Sequence, residues 1–243
     1  MNLDTAKTRT KEFNQIGFKK IYRKLLSKNP TIIDVGAHKG QTIDFFKKIF
    51  PKSKIFAFEP SETYKFLLKK YKTDKNIKLS NFAIDKKKGK RKFYYHKFKS
   101  KNTSGLSGFY KINKQSKDHI RLKSSERNKI LKEINFSHLV SCISLDDIFK
   151  KKINIDLLKI DTQGNELNVL KGSKKLLKNV KFIKLELMLY DYYEKSYSIS
   201  EIELFLKRLN FKIFNILEVN QNPVNYKTDW IEVLFFNNSL ISD

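Results

Sequence analysis

The sequence of 243 residues contains one cysteine, Cys142, so an internal disulfide is impossible. Cys142 lies in an apolar stretch, where a small packed side chain is a commoner role than a nucleophile. No apolar run approaches the roughly 18 residues that indicate a membrane span. Basic residues interrupt the N-terminal segment, where a signal peptide would need an apolar core. We therefore expect a cytoplasmic protein without a membrane span.

Acidic residues are scarce relative to basic ones: 25 Asp and Glu face 51 Lys and Arg, which gives a net charge of +26. Between Lys86 and Lys132, 17 basic residues face only Asp118 and Glu126, so this stretch carries 17 − 2 = +15. Such a field attracts nucleic acid, acidic membrane or anionic glycans. A genome rich in A and T would also enrich Lys, Asn, Ile, Phe and Tyr together. Both interpretations stay open.

Short apolar runs alternate with amphipathic segments along most of the chain, which predicts an α/β protein whose mostly parallel sheet is covered on both faces. The last two predicted strands, 211–217 and 230–236, are joined by a loop too short for a helix and so predict an antiparallel hairpin at the sheet edge. We divide the chain into an N-terminal helical extension, 1–29, and one domain, 30–243. This domain contains a basic insertion at about 98–135, with a predicted helix over 111–133. A further helix is predicted over about 165–177.

The most informative feature is a glycine-marked loop after the first predicted strand. The buried run 31–35 is followed by Gly36 and Gly40, which let the backbone turn and approach a ligand where a Cβ would clash. The next helix points its N-terminus at such a ligand. A second strand, 54–58, ends at Glu59, 23 residues after Gly36. In βαβ nucleotide sites, an acidic residue about 20 residues on accepts hydrogen bonds from ribose hydroxyls.

The glycine spacing also indicates which cofactor binds. Dinucleotide-binding loops read G-x-G-x-x-G, but here His38 occupies the position of the second glycine, and no P-loop motif occurs. The loop therefore lacks a diphosphate cradle. A cofactor with adenosine but no phosphate fits this pattern, and S-adenosylmethionine is the obvious candidate.

Acidic side chains lie at the ends of three predicted strands, 31–35, 54–58 and 155–160. Asp34, Glu59 and Asp161 are at their carboxyl ends, the edge where ligands bind in open α/β sheets. We expect Glu59 to hold ribose and Asp161 to border the sulfonium or the acceptor. Asn81 and Ala83, near the end of the third predicted strand, 77–84, would flank the adenine, although Asn81 alone is equally typical of an ordinary turn.

Five sequence blocks resemble the FkbM-type S-adenosylmethionine-dependent methyltransferases in order and spacing. The blocks are Asp34–Thr42, Phe58–Pro60, Asn81–Ile84, Ser144–Asp147 and Lys159–Gly172, and the resemblance spans about 30–237. It implies a Rossmann-like seven-stranded methyltransferase fold and methyl transfer, usually to a hydroxyl of a sugar or small metabolite. The candidate cofactor-binding residues are Asp34, Gly36, Ala37, His38, Gly40, Thr42, Glu59, Pro60, Asn81 and Ala83. Gln163 stands where the family often has Glu, which weakens any carboxylate cluster for a metal, and we predict no metal site.

Methylation of a neutral hydroxyl requires a group that accepts its proton. Asp161 is the first candidate, and Glu166 and Glu186 are the others. Glu166 could instead complement the dipole of the helix that it begins. Glu186 could cap its strand, and His38 is more typical of a cofactor contact than of a base.

Two other functions remain open from the sequence. An RNA methyltransferase would explain the +15 stretch, although Asp-Thr-Gln-Gly at 161–164 differs from the Asp/Asn-Pro-Pro-aromatic signature of amine-methylating nucleic-acid enzymes. A basic binding module without turnover is the third possibility, and the intact set of Gly36, Gly40, Glu59 and Asp161 argues against it. The leading hypothesis is O-methylation of a small-molecule or glycan acceptor, which the positive charge suggests is anionic.

Overall fold

In the computed structural model of the chain, residues 17–97, 105–116, 134–221 and 226–241 are described. The strands are β1 Thr31–Val35, β2 Lys54–Phe58, β3 Ile77–Ser80, β4 Ala83–Ile84, β5 Gly89–Lys97, β6 Ile134–Ile143, β7 Ile155–Ile160, β8 Val180–Met188, β9 Phe211–Gln221 and β10 Thr228–Asn237. The helices are α1 (17–25), α2 Gln41–Ile49, α3 Thr63–Lys70, α4 Leu145–Ile148, α5 Glu166–Lys171, α6 Lys174–Leu177 and α7 Ile199–Lys207. The predicted N-terminal helix is thus present over 17–25, and its expected beginning lies outside the described residues.

A seven-stranded sheet forms the centre of the domain, in the order β3-β2-β1-β7-β8-β10-β9. The first five strands in this order are parallel, whereas β10 runs antiparallel to both β8 and β9. This confirms the predicted mostly parallel fold with an antiparallel C-terminal hairpin. The order reverses between β1 and β7, whose carboxyl ends therefore border a crevice of the kind that binds ligands.

Apolar side chains fill both faces of this sheet. Ile32 and Ile33 are fully buried neighbours in β1, yet they belong to separate apolar clusters because successive side chains of a strand point to opposite faces. Every residue of β7 is buried, as expected for a central parallel strand. The longest helices of the described residues have nine residues each, too few to cross a membrane.

A second, three-stranded sheet, β4-β6-β5, stands beside the first. It corrects two predictions. The single strand expected over 77–84 is broken at 81–82, and its second half, β4, pairs with β6 rather than with β2. The helix expected over 165–177 is interrupted at 172–173, where a Cβ on Gly172 would collide with the carbonyl of Asp85. The first difference arises from a tertiary contact, the pairing of β4 with β6, which hydrophobic periodicity does not record.

The described part of the basic insertion, residues 105–116, packs against the domain. It contains turns and isolated bridges instead of the predicted helix, so that prediction is wrong for 111–116, while 117–133 lie outside the described residues. Gly108 exchanges two backbone hydrogen bonds with Tyr94, and Ile112 forms a bridge with Tyr193. This segment therefore stands over the carboxyl end of β7.

Candidate active site

The glycine loop turns sharply where β1 ends. Gly36 and Gly40 have φ values of 81° and 82°, in the left-handed region that favours glycine. A Cβ on Gly36 would collide with the backbone oxygen of Asp161, and one on Gly40 would collide with the Tyr71 hydroxyl. These glycines were expected to admit a ligand. The structure shows that the space a Cβ would fill is already occupied by protein atoms, so close packing of the loop requires glycine at both positions.

Glu59 binds this loop with its carboxylate. Its Oε2 accepts a hydrogen bond from His38 N at 2.8 Å, and its Oε1 accepts one from Ser61 N at 2.9 Å. Asn81 Nδ2 donates to the Glu59 carbonyl at 2.9 Å and so fixes the backbone that carries the acid. Glu59 is 6% exposed. Each carboxylate oxygen keeps a second lone pair, which can accept a hydroxyl hydrogen of a ligand.

A cavity of about 250 Å³ opens between the carboxyl ends of β1, β2 and β7. Its walls come from the glycine loop, from Glu59 and the two residues after it, from the β4 segment and from the loop after β7. Residues 105–109 of the insertion and Phe93 of β5 close the remaining side. The cavity therefore joins the expected cofactor loop to Asp161, which is the arrangement required for a bound cofactor to meet an acceptor.

Lys159 joins the strand ends below the cavity. Its Nζ donates to the Gly36 carbonyl at 2.9 Å and lies 3.2 Å from Asp34 Oδ1 and 3.4 Å from Asp161 Oδ2. Burial would lower the pKa of Lys159, but these two carboxylates outweigh it and raise that pKa. The sequence prediction did not select Lys159 as a site residue. The sequence did contain a signal for it, because Lys159 lies in a strand predicted to be buried, and a buried lysine must be paired with an acid.

Asp34 is fully buried beneath the loop and does not line the cavity. Burial raises the pKa of its carboxyl, and the nearby Lys159 ammonium opposes that rise. Asp34 was predicted to contact the cofactor, and that contact stays a prediction. In the structure its carboxylate lies against the Lys159 ammonium, which in turn binds the Gly36 carbonyl.

Asp161 and Glu186 are bridged by a side-chain amide. Gln163 Nε2 donates to Asp161 Oδ1 at 2.7 Å and to Glu186 Oε1 at 3.2 Å, while the Tyr193 hydroxyl donates to Gln163 Oε1 at 2.5 Å. Burial, and then the charges of Asp161 and Glu166, raise the pKa of Glu186 to about 8. The raised pKa favours the protonated, neutral form of the Glu186 carboxyl beside Asp161 at pH 7.

Glu166 supports the loop that carries these groups. Its Oε1 accepts hydrogen bonds from Thr162 N at 2.9 Å, Thr162 Oγ1 at 3.0 Å and Gly164 N at 3.2 Å. Burial raises the pKa of Glu166, and the backbone donors oppose that rise. The carboxylate therefore faces its own loop, as expected for an acid at the beginning of a helix.

The predicted residues thus divide by position. Those lining the cavity are Gly36, Ala37, His38, Thr42, Glu59, Pro60, Ala83 and Asp161. Those beside or beneath it, outside its lining, are Asp34, Gly40, Asn81, Glu166 and Glu186. Gln163 and Phe109, which were not selected from the sequence, do line it. Within the described residues no group of acids, histidines or cysteines could hold a metal ion.

Comparison with solved structures gives similar folds at low sequence identity. An FkbM methyltransferase from Methylobacillus flagellatus KT is 14% identical with a TM-score of 0.52, over 91% of this chain and 47% of that one. This chain therefore spans about half the length of that protein. TrmK of M. capricolum, solved with S-adenosylhomocysteine, is 12% identical (TM-score 0.46; 90% and 67% covered). A putative rRNA methylase from Clostridium thermocellum is 8% identical (TM-score 0.48; 90% and 92% covered).

No curated protein sequence matches the chain. The family model described as "Methyltransferase FkbM domain" matches residues 34–213, which include the glycine loop, Glu59, the insertion and the Asp161 loop. This match covers well over half of the chain and agrees with the observed fold and with S-adenosylmethionine as the cofactor. The chain therefore belongs to the FkbM family of S-adenosylmethionine-dependent methyltransferases.

Proposed function

We propose that the protein methylates a hydroxyl group of a glycan or small metabolite, with Asp161 accepting the proton. The observation that supports this proposal is that the glycine loop, Glu59 and Asp161 all line the same cavity. A cytoplasmic location, expected from the sequence, stays part of the proposal.

The residues around the cavity fit an adenosine-bearing cofactor. The free lone pairs of Glu59 suit the two ribose hydroxyls, and Phe82 and Ala83 offer apolar surface to the adenine ring. Among the described residues that line the cavity, two are acidic, Glu59 and Asp161, and one is a lysine, Lys159. Such a lining favours a cationic sulfonium.

The cofactor would supply a methyl group already activated by its sulfonium. The protein then has to place the acceptor oxygen in line with that methyl group, which alone can contribute much of the rate enhancement. Asp161 would accept the hydroxyl proton as the new bond forms. Lys159 and Gln163 hold the two oxygens of its carboxylate, so the base is oriented before the acceptor arrives.

The acceptor would enter beside the insertion. Gly105, Ser107 and Phe109 line the cavity from residues 105–109, so this segment would contact whatever lies next to Asp161. The negative charges of Glu59 and Asp161 disfavour the binding of a phosphate or carboxylate group inside the cavity. An anionic acceptor, which the net charge of +26 suggests, would have to bind its charged group outside the cavity.

The test is incubation of the purified protein with methyl-labelled S-adenosylmethionine and fractionated cell extract. Label in a glycan or small metabolite, stable to base as an ether is, supports the proposal. Label in RNA would overturn the acceptor class, and label in no pool would favour a binding module without turnover. Asp161→Asn should abolish labelling yet bind the cofactor, whereas Asp191→Asn, at an exposed aspartate, should label normally.

A further inference from the structure

Gln163 has an unusual backbone for a residue with a large side chain. Its φ is 55°, in the left-handed region, and Gly164 follows at 96°. Such a conformation is uncommon for a residue with a side chain and persists only where surrounding contacts impose it. Here Glu166 binds the backbone on both sides of Gln163, and Gly108 approaches so closely that an added Cβ would lie 3.3 Å from the Gln163 carbonyl. The fold therefore forces this side chain into the site.

The Gln163 side-chain amide uses both of its N–H donors on acidic side chains. Its two donor hydrogens go to Asp161 and Glu186, and its oxygen accepts from Tyr193, itself 1% exposed. The opposite orientation of the amide would set its oxygen 2.7 Å from an oxygen of Asp161, and an ionised carboxylate has no hydrogen to donate. The observed orientation, in which the Tyr193 hydroxyl donates to the amide oxygen, presents a donor to Asp161.

Asp161 lies among charged and titratable groups from several elements. They are Lys159 on its own strand, Asp34 at the end of β1, Glu166 on α5, Glu186 on β8 with Glu232 across from it on β10, and Tyr193 after β8. Most of these groups are acids, and Lys159 already neutralises Asp34. A further negative charge at position 163 would repel the Asp161 carboxylate and favour its protonated form.

We propose that Gln163 is a positioning residue that, held by Tyr193, orients the Asp161 carboxylate as the proton acceptor. The inference rests on the proposed function for the role of Asp161. What it claims physically is that the Gln163 amide and the Asp161 carboxylate are coupled. This coupling can be measured without a methyl acceptor. A glutamate at this position would remove the donor and add a charge in one step.

The test is a titration of the intact protein labelled with ¹³Cγ aspartate, with the Asp161 resonance assigned by its loss in Asp161→Asn. Gln163→Glu should raise the measured pKa of Asp161 by about one unit or more, since a like charge replaces a donor. Tyr193→Phe removes only the hydroxyl that orients the amide and should raise that pKa by a smaller amount. Gln115→Glu, at an exposed glutamine of the insertion, makes the same chemical change and should leave it unmoved.

A purely structural role for Gln163 predicts lower stability without a change in the Asp161 pKa, and that result would overturn the proposal. If the Gln163→Glu protein does not fold, the Asp161 pKa is measured in Tyr193→Phe instead, and an unchanged pKa there would likewise overturn the proposal. Calorimetric titration of the same samples with S-adenosylhomocysteine tests the proposed function separately. A protein that fails to bind it but shows the pKa shift would refute the methyltransferase activity and retain the coupling.

Discussion

Replacing Glu59 with Gln tests the residue that joins the glycine loop to the cavity. The carboxylate accepts one backbone hydrogen bond on each oxygen, from His38 and from Ser61. An amide has only one acceptor oxygen, so its NH₂ group must face one of these two N–H donors. The side chain keeps its shape, and the change therefore isolates charge and hydrogen bonding from packing.

The expected loss of stability follows from these contacts. A hydrogen bond to a charged group contributes about 1.5–3 kcal/mol, and a buried donor left unpaired costs about 1–3 kcal/mol. We expect Glu59→Gln to lower the free energy of unfolding by roughly 2–5 kcal/mol. In a protein of this length that corresponds to a fall in melting temperature of roughly 4–20 °C. Loss of a charged acceptor for ribose should also weaken binding of S-adenosylmethionine roughly 10- to 150-fold.

Urea unfolding and isothermal calorimetry with S-adenosylmethionine measure the two effects. Glu62→Gln is the matched control, because Glu62 lies three residues away, is exposed, and undergoes the same chemical change. Wild-type affinity in a folded Glu59→Gln protein would refute the ribose assignment. Wild-type stability would refute the hydrogen-bond reasoning, even if affinity fell.

Three other changes test the supporting contacts. Lys159→Met leaves the buried Asp34 charge unpaired and should destabilise the protein by about 3–5 kcal/mol in urea unfolding, the range for a broken buried pair. Tyr71→Phe removes the hydroxyl whose one hydrogen is shared between Asp44 Oδ1 at 2.8 Å and the Gly40 carbonyl at 2.9 Å. This change should cost about 1 kcal/mol and loosen cofactor binding, measured by calorimetry. Since folding raises the pKa of Glu186 to about 8, the folded state binds its proton more tightly, and wild-type stability should fall as pH rises from about 4.5 to 8. Glu186→Gln should show a smaller fall when unfolding is compared at pH 5 and pH 8, and an identical slope would contradict the raised pKa.

The sequence predicted the strands of the main sheet well, because each strand carries its own signal. β1, β2 and β7 were expected at the residues where they occur, since short buried runs between turn residues specify parallel strands locally. The break between β3 and β4 was missed because pairing with β6, some 60 residues later, decides it. The helix expected over 111–133 failed over 111–116 for the same reason, since Ile112 pairs with Tyr193.

The candidate site shows the same division between local and tertiary information. Glu59 and Asp161 could be selected because an acid at a strand end has a defined place in an α/β sheet. Gln163 and Tyr193 are 30 residues apart, and their hydrogen bond depends on how the segment after β8 returns to the loop after β7. The sequence pattern could not decide whether Glu166 accepts the proton or supports its own loop. Three hydrogen bonds from its own loop indicate the supporting role.

The contact between Gly36 and Asp161 relates the two halves of the site. Val35 and Ile160 are paired neighbours, so the next residues of both strands turn outward side by side, with Lys159 bound to the Gly36 carbonyl and to the Asp161 carboxylate. The loop expected to hold the cofactor and the loop expected to hold the base therefore share one backbone contact and one cation. Any side chain at position 36 would separate them, which explains the need for glycine there without reference to a ligand. The distance between the proposed cofactor loop and the proposed base is consequently set by the central strands of the sheet, while residues 105–109 form the part of the wall that we propose contacts the acceptor.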